Sequence, residues 1–167
     1  EVQKNMAQKK AASAPIFQGC PGSRANVIRH QQEESPKKIA EETTRPTSML
    51  NQWPVQIKLV PINAPYFDQA NLLIAADCTA YAYGDFHNSF MKNRITLIGC
   101  PKLDEGDYAE KLTEIFRLNN LKSITVVRMT VPCCGGIVNA VTTALRNSGR
   151  MIPWQVVTIS PDGTIVE

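Results

Sequence analysis

The chain has 167 residues, of which 43% are hydrophobic and 20% charged, and a formal net charge of +3. That is the composition of an ordinary globular chain, and it excludes a wholly disordered one; the length suits one domain with room for a tail. No apolar run approaches the roughly 18 residues of a transmembrane helix, and the opening Glu1-Val2-Gln3-Lys4 lacks the apolar stretch of a secretory signal. An opening on Glu1 rather than Met reads as a fragment of a longer chain.

Residues 1–50 read as an extended linker or arm. They are poor in large apolar side chains and rich in Gln, Ser, Lys, Glu and Pro, too little to offset chain entropy by burial. One island, Pro15-Ile16-Phe17-Gln18-Gly19-Cys20-Pro21-Gly22-Ser23, mixes two apolar residues with a turn and reads as a docking segment. The arm carries 8 Lys/Arg and 5 Asp/Glu, whereas residues 51–167 carry 10 of each. The folded part is therefore neutral, which excludes the electrostatic footprint of a nucleic-acid binder.

From residue 53 the pattern is strands alternating with helices. Val55–Val60 is predicted as a strand closed by Pro61, and Leu72–Ala76 as a strand buried on both faces. Thr79–Met91 carries Tyr, Phe and Met at helical spacing, and Arg94–Ile98 reads as the next strand. An amphipathic helix is expected over Asp107–Asn119, a β-branched strand over Ile124–Val131, and a helix over Gly135–Asn147 that stops at Gly149. Gln155–Ser160 is a last long strand, and Pro161-Asp162-Gly163-Thr164 a tight turn into a short final one. The fold class this implies is α/β: a three-layer, Rossmann-like parallel sheet of about four to five strands with helices on both faces, preceded by the arm.

Ligands of such sheets bind beyond the carboxyl ends of the strands. Cys78 follows the strand ending at Ala76, Cys100 follows Gly99, and Cys133-Cys134 follow Val131-Pro132. In a parallel sheet all four come to one rim. Gly99, Gly135 and Gly136 would let backbone approach a bulky ligand. The amides opening the helix after Cys134 would stabilise thiolate. Cys100-Pro101 and Cys20-Pro21 repeat the Cys-Pro step found at ferredoxin cluster ligands. Arg128 reads either as a cation facing the site or as an edge-strand residue pointing to water, and Lys102 as a solvated turn residue. His87 reads as structural or as a metal ligand, and Asp77 as a cap of the next helix. Five cysteines without a secretory signal point to metal or redox chemistry in a reducing, cytoplasmic compartment. No GxGxxG, GxxxxGK[ST], GxSxG or CxxC string is present.

Five strings are distinctive: Asn51-Gln52-Trp53-Pro54-Val55-Gln56, Ala75-Ala76-Asp77-Cys78, Asp85-Phe86-His87, Gly99-Cys100-Pro101-Lys102-Leu103-Asp104 and Val131-Pro132-Cys133-Cys134. With Cys20-Pro21-Gly22-Ser23 they resemble a family of anaerobe ferredoxin-type iron–sulfur proteins, over about residues 17–167. There, a ferredoxin domain with [4Fe–4S] clusters precedes a cysteine-bearing α/β domain. The resemblance implies the latter domain alone, since no CxxCxxCxxxCP run is present. It also implies a ferredoxin domain or ferredoxin-like electron carrier as partner.

Three functions follow. The first is an iron–sulfur domain in electron transfer, possessing a [4Fe–4S] or larger cluster held by Cys78, Cys100, Cys133 and one of Cys134 or Cys20, and so a component of an oxidoreductase. The second is a structural zinc module with four thiolates, or three and His87. The third is a metal-free thiol redox enzyme using Cys133 or Cys134, for which His30 and His87 are the only candidate imidazole bases. No membrane partner is expected.

Overall fold

The computed structural model describes residues 20–30 and 45–166. Two short strands, β1 (Asn26–Val27) and β2 (Gln52–Trp53), pair antiparallel at the edge of the molecule. The main sheet then follows: β3 (Asn71–Ala76), α1 (Thr79–Ala82), β4 (Ile95–Gly99), α2 (Ala109–Leu118), β5 (Ser123–Met129), α3 (Gly135–Ser148) and β6 (Trp154–Ile159). Its four strands lie in the order β4-β3-β5-β6 and all neighbours are parallel. The alternation of short apolar runs with amphipathic stretches thus yields the expected α/β architecture.

Burial explains the strand sequences. Leu72 to Ala76 of β3 are all buried, because the strand is interior and covered on both sides. On one face Leu72, Ile74, Leu97, Ile124 and Val126 pack under α2 and α3. Leu112, Ile115 and Phe116 of α2 are 0% exposed, and burial of each is worth about 1.5–3 kcal/mol. Asp107 accepts the Ala109 backbone N–H at the start of α2 (2.9 Å), and α3 ends on Gly149 in the left-handed conformation at φ 67°, which glycine adopts without a Cβ clash. On the other face Leu73, Ala75, Val127, Met129 and Ile159 are covered by a thinner layer containing Phe86, Phe90 and Met91. Right-handed crossovers account for this division, since β3 to β4 steps one way across the sheet and the later connections step the other.

Three elements differ from expectation. Val55–Val60 is not a strand. Only Gln56 bridges β4, at Ile98, and the backbone N–H groups of Leu59 and Val60 both turn back to the Gln56 carbonyl. The apolar pattern there reflects Ile57 and Val60 plugging the core from a turn. The buried Gln52 side chain continues the edge instead, accepting the Thr96 N–H and donating to the Thr96 carbonyl. Thr79–Met91 is not one helix either. It leaves the helical conformation at Tyr83 (φ −101°, ψ 111°), and His87–Met91 is a π-helical turn. The final strand reduces to a bridge between Ile165 and Ile159. Ile16 and Phe17 lie outside the described residues. Among the described residues no helix is long and apolar enough to cross a membrane.

Candidate functional site

The sheet order reverses between β3 and β5. From β3 the chain steps to β4 on one side and then returns to β5 on the other. In open α/β sheets this switch point opens the ligand-binding crevice at the carboxyl ends. Its two walls carry thiols. Cys78 lies two residues beyond β3 and is exposed; Cys133 and Cys134 form the 3₁₀ turn Pro132–Cys134 that leads from β5 into α3. Cys133 is exposed and Cys134 buried. Burial pushes the Cys134 thiol up, with the neighbouring Cys133 and Cys78 adding to the shift and a backbone hydrogen bond from Met129 opposing it. The thiols after β3 and β5 stand at the same end of two paired parallel strands.

Cys100 is the first residue after β4, on the far side of β3, and is half-buried. Its loop is tied down tightly. The Cys100 carbonyl accepts the N–H groups of Leu103 and Asp104. The Tyr108 phenol donates to the Asp104 carboxylate. A Cβ on Gly99 would stand 2.6 Å from the Tyr108 oxygen, and one on Gly136 would stand 2.8 Å from Pro101. These two glycines thus serve close approach within the chain, pressing the start of α3 against the Cys100-Pro101 loop. A Cβ on Gly135 would stand 3.9 Å from the Arg128 guanidinium.

Arg128 sits near the end of β5, an interior strand rather than an edge. Its Nε donates to the Met129 carbonyl (3.1 Å), and among the described residues no carboxylate pairs with it. A cation beside the N-terminus of α3, next to Cys134, makes that corner attractive to negative charge. Lys102 is exposed.

Cys20 lies apart. It is exposed, its carbonyl accepts the Ser23 N–H and hydroxyl, and its turn is pinned by Trp53 Nε1 donating to the Gly22 carbonyl (3.0 Å). No described contact joins its sulfur to another cysteine. Among the described residues no three Cys, His, Asp or Glu side chains converge to enclose a single metal ion.

Both histidines serve the segment around Leu50. His30 Nε2 bonds the Leu50 carbonyl at 2.8 Å, and His87 Nδ1 accepts the Met49 N–H at 3.1 Å. Neither hydrogen-bonds a thiol in the described structure. Asp77 does not cap α1, which has no side-chain cap. Its backbone N–H bonds the Gly99 carbonyl, while its Oδ1 is buried without a hydrogen-bond partner among the described residues. Burial and then the charge of Asp104 push the Asp77 carboxyl up.

Sequence reasoning missed a cavity beside this rim. It has a volume of about 390 Å³ and lies between the β3–α1 turn, the β4 edge, the π-helical turn and the segment from Ser48 to Val55. The one available signal was the cluster of aromatics between Tyr81 and Phe90.

A Rossmann-like domain family model matches residues 64–167. An uncharacterised protein of Archaeoglobus fulgidus is 27% identical over 116 residues, which span 70% of this chain and 82% of the relative. No solved structure matches. The matched span contains the whole four-stranded sheet and the rim cysteines Cys78, Cys100, Cys133 and Cys134, and the chain belongs to this Rossmann-like domain family.

Proposed function

We propose that the chain carries an iron–sulfur cluster at the carboxyl edge of its sheet and exchanges electrons with a ferredoxin domain or ferredoxin-like carrier, as an oxidoreductase component of a reducing, cytoplasmic compartment. The observation that carries this reading is the placement of Cys78 just after β3 and of Cys133 and Cys134 just after the neighbouring parallel strand β5, with two of the three exposed. Thiolates are the ligands iron–sulfur clusters select. When bound, such a cluster supplies reversible one-electron storage.

The donor set suits a cluster better than zinc. A tetrahedral zinc site draws four ligands around one ion, with sulfurs about 3.8 Å apart from the usual bond length. In a cluster each thiolate binds its own iron, so sulfurs borne by separate loops can stand farther apart. The ligands would be Cys78, Cys100, Cys133 and one of Cys134 or Cys20. Backbone amides at Gly135 and Gly136 and the Arg128 guanidinium would offset the site's negative charge. Gly99 holds the Cys100 loop in place against Tyr108.

Anaerobic purification followed by iron, sulfide and zinc analysis tests the reading. The expected product is brown and contains iron and sulfide together, both lost in Cys78→Ser and Cys133→Ser. Arg128→Gln is expected to retain iron and lower the midpoint potential, because Arg128 favours the more negative reduced form. Stoichiometric zinc without sulfide would replace this reading with a structural module, and a metal-free chain with one fast-alkylating thiol would replace it with a thiol enzyme.

A further inference from the structure

Three buried side-chain polar atoms have no hydrogen-bond partner among the described residues: Tyr66 Oη, Asp77 Oδ1 and Thr96 Oγ1. Buried polar groups are nearly always satisfied, and each exception calls for a missing partner. Two of the three, Asp77 and Thr96, belong to residues lining the 390 Å³ cavity beside the rim. Thr96 is only 2% exposed, so its hydroxyl is sealed within the fold.

The rest of the wall is apolar and aromatic. Phe86 is buried, while Trp53 and Tyr81, which also line the cavity, are 40% and 92% exposed. His87 also lines the cavity. Because its Nδ1 accepts the Met49 N–H, the ring proton sits on Nε2. His87 is set there by the π-helical turn it opens, a geometry frequent at functional sites. Among the described lining residues Asp77 is the one carboxylate, and none is Lys or Arg. An apolar cavity of this size with a few polar groups is the usual form of a small-molecule site.

We propose that this cavity binds a small planar nitrogen base, a flat apolar ring presenting N–H donors. The ring would lie among Trp53, Tyr81 and Phe86. Its donors would meet the Asp77 carboxylate. A positive charge would gain further from the aromatic faces, and a carboxylic acid of the same shape would meet Asp77 with repulsion. The proposal does not depend on what the thiols hold.

Benzamidine, benzamide and benzoate are near-isosteric and differ in charge, so calorimetric titration of the full chain with each reads the inference directly. Benzamidine is expected to bind saturably, with benzamide weaker and benzoate weakest. Asp77→Asn should weaken benzamidine about ten-fold or more, the size of one hydrogen bond to a charged group, and abolish the preference over benzoate. Ala80→Trp, on an exposed position of α1 that lines the cavity, should block all three probes and leave the circular dichroism spectrum unchanged. Equal binding of benzamidine and benzoate, binding untouched by a folded Ala80→Trp, or no saturable binding of any probe would each overturn the proposal.

Discussion

On the face covered by α2 and α3, the sheet meets an aliphatic interior with Leu112, Ile115, Phe116, Ile137 and Val141 all fully buried. The opposite face is closed only by a four-residue helix, a π-helical turn and the segment around Met49 and Leu50. That thinner side borders the cavity, the unpartnered Asp77 and Thr96, and the exposed Tyr81 and Trp53. Among the described residues the thick layer leaves one buried polar atom without a partner, Tyr66 Oη, and the thin layer leaves two, on Asp77 and Thr96. The difference separates the layer that stabilises the sheet from the layer that leaves room for a ligand, since a site must keep groups whose partners arrive later.

The sharpest way to break this comparison is a matched pair of truncations. Phe116→Ala is expected to cost about 3–5 kcal/mol in chemical denaturation, because α2 and α3 are held too firmly to close the space. Phe86→Ala should cost less, because the thin layer can collapse into the space it leaves, and it should weaken benzamidine binding, which Phe116→Ala does not touch directly. A larger loss at Phe86 would reverse the assignment of the two layers.

Gly136→Ala tests the seam between α3 and the Cys100 loop. Its Cβ would lie 2.8 Å from the Cβ of Pro101, so one element must shift at a cost of about 1–3 kcal/mol. If the rim thiols share one centre, iron content should fall as well; full iron content with the same loss of stability would confine the role of Gly136 to packing.

Within the rim, alkylation of the metal-free chain should resolve Cys133 and Cys78 from Cys134. Cys134 is buried and its thiol is pushed up by that burial, so it should react more slowly and need a more alkaline solution. The sign for stability follows from the same shift. The folded state favours the protonated thiol, so this contribution is complete below the ordinary thiol range and is lost as pH rises through the raised value. Peptide mass spectrometry over an alkylation time course reads the order directly.

The smallest effect is expected on the outer surface of α2. Glu114→Gln removes the pair with Arg117, both partly exposed, and should change stability by less than about 0.5 kcal/mol. A larger change in the same denaturation measurement would mean that charge as well as burial holds α2 in place.

Much of this arrangement was legible in the residues themselves. The run from Leu72 to Ala76, the heptad-like spacing of Leu112, Ile115 and Phe116, and the stop at Gly149 are local signals whose physics operates within a few residues. Because strands joined by helical crossovers are parallel, the ends of β3, β4 and β5 necessarily share an edge, and the positions of Cys78, Cys100, Cys133 and Cys134 along the chain already placed them there. Three features required the tertiary structure. The strand expected at Val55–Val60 became a turn because Ile57 and Val60 fill a core formed by distant α2 and β4. Asp77 read as a cap, yet its carboxyl is enclosed beside Asp104, a neighbour 27 positions away in a loop that packs only after the sheet has formed. The cavity is walled by segments from Ser48 to Ile98 whose separate patterns each look like ordinary loop or core. Periodicity records which face of an element is buried, whereas an unsatisfied hydroxyl or carboxylate is defined by what the rest of the chain fails to place against it.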